Sequence, residues 1–96
     1  MSLSPQEYTH LKGFRDLIAS TIGRLEQAQS QGALSQAVGD VAPRWDEVDA
    51  DFAGVLRSVG ESVWTMPFAQ VRPTVNAIVG HLGQQLSELD QQLAAG

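Results

Sequence analysis

Apolar residues along this chain recur at intervals of three and four, the spacing that gathers side chains on one side of an α-helix. Leu11, Phe14, Ile18, Ile22 and Leu25 form the first row, and Lys12, Asp16, Arg24 and Glu26 fall off it. Ser4-Pro5-Gln6-Glu7 precedes the row as a capping box with proline at the first helical position. There the serine hydroxyl can accept from the Glu7 backbone N–H, and the Glu7 carboxylate can reach back. Leu3 and Tyr8 are spaced for a hydrophobic staple, and Gly32 supplies a stop, so a helix is expected near 5–31. Leu17 lies off the row, which gives this helix a second side to pack.

Trp45, Val48, Phe52, Val55, Leu56, Val59 and Val63 make a second row, covering about a third of a helical circumference. Pro43 is placed to open that helix, and Asp46 and Glu47 suit the positive end of its dipole. The pattern predicts a helix near 43–63 despite Gly54 and Gly60. Ahead of it, Leu34, Ala37 and Val38 support a turn or two, broken at Gly39-Asp40. Pro67 and Pro73 cannot both sit inside one undisturbed helix, so 64–73 reads as a connection with one turn after Pro67. A third helix is expected near 73–95. There Val75, Leu82 and Leu89, and Val79, Leu86 and Leu93, repeat every seven residues. Period-two alternation is absent, so strands are not expected. The expected architecture is all-α: a bundle of three or four helices in one domain spanning 1–96.

Composition narrows the classes of function. A 96-residue chain buries only about 60–65% of its unfolded surface, so its core is thin and association would help it. Six Lys and Arg against eleven Asp and Glu leave a net charge of −5, the wrong sign for a nucleic-acid partner. The absence of cysteine removes disulfides and thiolate chemistry. No apolar run is long enough to span a membrane, and the first residues lack a signal-peptide pattern. The expectation is therefore a cytoplasmic protein without membrane contact, leaderless export remaining open.

Candidate chemistry is sparse. Glu7 and His10 have the E-x-x-H spacing of di-iron bundles, but the residue three before His81 is Ile78, so no second motif completes the set. Read as a calcium loop from Asp49, the chain has Ala53 at the fifth position and Gly60 at the twelfth, where ligands belong. No nucleophile elbow surrounds any serine, and Gly80-His81-Leu82-Gly83 lacks the lysine and strand of a phosphate loop. No catalytic, cofactor-binding or metal-binding residue is expected, and the chain is not expected to be an enzyme. A small metal-binding protein or enzyme is the most distant alternative.

Two features suggest a protein partner. Trp64, Met66, Phe68 and Val71 lie in or beside the proline-bounded connection, where polar residues are the norm. They either cap the open end of the bundle or form a contact surface. Asn76, Gly80, Gly83 and Ser87 follow one another beside the leucine face of the third helix, and suit either close packing within the chain or a seam between chains. The aromatic stretches 45–52 and 64–68 are the expected contact regions. The sequence thus points to a non-catalytic protein–protein interaction module, most simply one that forms a homo-oligomer.

Trp45-Asp46, followed by Phe52 and Leu56, resembles the region near the central turn of the WXG100 family of small secreted helical hairpins. Glu47 stands where that family's W-x-G has glycine, and residues 86–96 contain no tyrosine for its tail signal. The resemblance implies, as an alternative, an export protein that works with a second small helical chain.

Overall fold

The computed structural model describes residues 4–95. They form four α-helices and, among the described residues, no strand: α1 (Pro5–Gln27), α2 (Gln31–Asp46), α3 (Ala50–Ser62) and α4 (Phe68–Ala95). The all-α bundle is therefore present, with four helices.

The start of α1 follows its capping box. Ser4 has extended backbone, and its Oγ accepts from the Glu7 N–H at 3.1 Å. The proposed staple involves Leu3, which lies outside the described residues. The helix ends at Gln27, earlier than Gly32, because Ser30 caps a new helix by accepting from Ala33 N–H at 3.2 Å. Ala28 is drawn into the core between the two, 4% exposed.

The larger correction concerns 33–63. Pro43 does not open a helix but lies inside α2, which runs unbroken through Gly39. Leu34, Ala37, Val38, Val41, Ala42 and Trp45 are all buried along it. Burial of six apolar side chains outweighs one lost backbone bond and the proline ring's crowding, of order 3 kcal/mol. The expected 43–63 helix is broken instead at Glu47–Asp49. Asp49 adopts extended backbone and its carboxylate caps α3 by accepting from Phe52 N–H at 3.2 Å. The row of apolar residues is split accordingly. Trp45, Leu56, Val59 and Val63 are buried, whereas Val48 and Val55 are 50% and 47% exposed.

Pro73 is likewise interior, because α4 begins at Phe68. As the sixth residue of α4, Pro73 forfeits the one backbone bond to the Ala69 carbonyl, within the first two turns of the helix. Val71 and Val75, on either side of it, are both buried.

The helices pack in two antiparallel pairs, α1 with α4 and α2 with α3. Arg72 reaches the Ala28 carbonyl at one end of the first pair, and Arg15 bonds Asp90 at 2.9 Å towards the other. At 1.5 Å per residue α4 is about 42 Å long, whereas α2 and α3 are about 24 and 20 Å. The shorter pair therefore covers about half of the longer one, and the molecule is elongated, 48 × 21 × 18 Å. Gln31 donates to the Val63 carbonyl, which places the α1–α2 and α3–α4 turns at the same end. At the opposite end α1 and α4 project past the α2–α3 turn. There the heptad row of α4 meets α1 alone, with Leu89 buried and Leu11, Leu86 and Leu93 partly covered.

Candidate interaction surface

The centre of the molecule is an aromatic cluster. Trp45 packs edge-on against Phe14 at 5.7 Å and Phe52 at 4.5 Å between ring centroids. Its indole N–H donates to Thr21 Oγ1 at 2.9 Å, and the Thr21 hydroxyl donates to the Leu17 carbonyl at 2.8 Å. Trp45 is 2% exposed and Thr21 fully buried. Trp45 and the half-buried Phe52 thus belong to the core, whereas residues 46–51 between them are exposed. Leu17, off the main row of α1, is buried because α2 packs on that side.

The α3–α4 connection presents the opposite arrangement. Val63 is fully buried and the next residue, Trp64, is 64% exposed. Two backbone bonds fix this outward turn: Trp64 N–H to the Glu61 carbonyl at 3.1 Å, and Met66 N–H to the Ser62 carbonyl at 2.9 Å. Pro67 then accepts from Gln70 and Val71, starting α4. Met66 is exposed beside Trp64, whereas Phe68 is half-buried against the core with the Arg72 guanidinium 5.9 Å from its ring centroid. Val71 points into the core, 1% exposed. Of the four apolar residues of the connection, two seal the end of the bundle and two face solvent.

The small residues of α4 lie elsewhere on that helix. Asn76 and Gly80 are exposed and Gly83 is half-buried. A Cβ added at Gly80 or Gly83 would meet nothing within 4 Å, so neither glycine serves close packing within the chain. The buried Gly60 does: a Cβ there would lie 3.1 Å from Val38 Cγ1, where α2 and α3 approach.

Some of the charged groups pair across the surface. Arg24 bonds Asp40 at 3.0 Å, and Arg57 bonds both carboxylate oxygens of Asp46 across the α2–α3 turn. The hydrogen bond from Arg57 holds the Asp46 carboxyl below its ordinary range, partly offset by desolvation. His10 and His81 are both exposed, and among the described residues no three His, Asp or Glu side chains converge on a point. A shallow groove between α1 and the end of α2 is lined by Gly13, Leu17, Pro43 and Val48, with Arg44 and Glu47 at its rim. No described helix is long and apolar enough to cross a membrane.

The chain matches no protein-family model, no curated protein and no solved structure.

Proposed function

We propose that the chain is a non-catalytic protein-binding module, whose simplest partner is a second copy of itself and whose contact surface centres on Trp64 and Met66. One observation carries this reading: a tryptophan held 64% exposed by a hydrogen-bonded turn whose preceding residue is buried. Rigid aromatic side chains add contact area at little cost in conformational entropy, and Trp and Met are enriched in interface cores. Asn76, Gly80 and Gly83 add a low-relief strip on α4 that would admit a neighbouring helix. The surface ion pairs are satisfied within the chain and offer no comparable anchor.

Analytical ultracentrifugation tests this reading. The wild type should self-associate at micromolar concentration, and Trp64→Ala with Met66→Ala should shift it to monomer with unchanged helical circular dichroism. A wild type that sediments as a monomer into the high micromolar range would reject self-association through this surface.

A further inference from the structure

The α2–α3 turn leaves helical geometry at one described residue, Asp49, whose backbone is extended (φ −155°, ψ 93°). Glu47 has right-handed helical backbone (φ −78°, ψ −19°), and no described residue has positive φ. The Asp49 N–H still makes a helical bond to the Trp45 carbonyl at 2.7 Å, and Ala53 N–H bonds the Asp49 carbonyl at 3.0 Å. What separates this stretch from an unbroken helix is the extended Asp49 backbone, the N–H groups of Ala50, Asp51 and Phe52, which bond no carbonyl four residues back, and the Val48 N–H, which bonds Trp45 three back at 3.0 Å. Phe52 N–H is taken by the Asp49 carboxylate. Glu47, Val48, Asp49 and Ala50 are all exposed, so straightening them uncovers no core. The apolar row from Trp45 to Val63 continues through the turn at helical pitch.

We infer that the Glu47–Asp49 turn is a hinge through which two copies exchange their α3–α4 halves, forming a dimer in which Gln31 to Ser62 is one continuous helix. This rests on the self-association proposed above and adds to the Trp64 surface a second mode, through the core, that forms when chains refold at high concentration. Each lobe would keep α1 and α2 of one copy and receive α3 and α4 of the other. The two most extensive pairings, α2 with α3 and α1 with α4, would then lie between copies. So would the Trp45–Phe52 stack and the Arg57–Asp46 and Arg15–Asp90 ion pairs. An interface built from both main helix pairings far exceeds the area that a standard stable dimer needs. Exchange re-forms existing contacts, so its balance is decided at the hinge, where short turns favour swapping. Val48, half-exposed in the closed chain, gains apolar neighbours where the two straightened helices meet.

The test uses the full chain refolded at high concentration, with mass read by light scattering. Ala50→Pro fits the first position of α3 but forbids a helix through the hinge. It should abolish the dimer that refolding at high concentration produces and preserve helicity, while Trp64→Ala with Met66→Ala, which dissociates the surface contact of chains that were never unfolded, leaves this refolded dimer intact. Asp49→Ala removes the α3 cap and should lower the dimer dissociation constant roughly thirtyfold, about fivefold at each of two hinges. Co-refolding Val38→Cys chains with Gly60→Cys chains and oxidising should trap the mixed disulfide dimer, because a Cβ at Gly60 lies 3.4 Å from Val38 Cβ, within disulfide reach, and the two positions meet between copies only after exchange. A dimer that survives Ala50→Pro, no mixed disulfide, or a wild type monomeric at every concentration would overturn the exchange. Loss of the dimer in the Trp64/Met66 variant alone would assign association to the surface instead.

Discussion

Replacing Thr21 with valine probes a buried polar contact in the core. The substitution keeps the branched shape of the side chain and removes the hydroxyl that accepts the Trp45 indole N–H at 2.9 Å. Both residues are sealed from water, at 0% and 2% exposure, so no solvent molecule replaces the acceptor. The Leu17 carbonyl loses the hydroxyl at 2.8 Å but keeps its helical partner. An orphaned buried donor costs about 1–3 kcal/mol, and that is the destabilisation expected for Thr21→Val. In a domain of this size each kcal/mol lowers Tm by about 4–8 °C. Trp45→Phe separates this from any packing change. It removes the donor, so Thr21→Val should cost almost nothing in that background, leaving a coupling of about 1 kcal/mol or more. Urea unfolding followed by far-ultraviolet circular dichroism reads the helices rather than either indole, and the denaturant slope should stay constant. A Thr21→Val chain within about 0.3 kcal/mol of wild type, or an equal loss in both backgrounds, would refute the assignment.

Two glycines of α3 should respond differently to alanine. Gly54 faces open space, so Gly54→Ala should stabilise by about 0.5–1 kcal/mol through helix propensity. Gly60→Ala should show none of that gain, because Val38 Cγ1 lies 3.1 Å from the new Cβ and a β-branched neighbour cannot rotate aside. Adding Val38→Ala should recover part of the difference, and equal thermal shifts for the two glycine variants would contradict the close approach. Acid should weaken the α2–α3 pairing through Asp46. Its carboxyl is held below the ordinary range by Arg57 in the folded state, so its contribution is present above that range. That contribution is lost as pH falls through the lowered folded value. In unfolding curves collected at successive pH values, the wild-type advantage over Asp46→Asn should be small, because the pair is exposed, and should vanish at the acid end.

Some boundaries were legible because their signals are local. Ser4 caps α1 as its motif implies, and Asp49 caps α3 through an Asp ahead of an amphipathic run, a signal that was available but outweighed by the continuous apolar row. Ser30 marks the start of α2 in the same way. Pro43 and Pro73 lie inside helices against their local preference because burial of Trp45, Val71 and Val75 around them outweighs proline's local cost. The contact surface divided for a related reason. Trp64 and Val71 look alike in composition, yet one faces water and the other is covered by helices distant in sequence.

The sequence by itself determined that the chain is helical, because periodicity and capping act within a few residues. Only the tertiary structure decided where the long apolar row folds back, that Thr21 serves Trp45, and which aromatic side chains remain outside. The physical reason is that helical pitch specifies which residues share a face. What covers that face depends on partners brought from elsewhere in the chain, whose burial energies exceed the local preferences of any single residue.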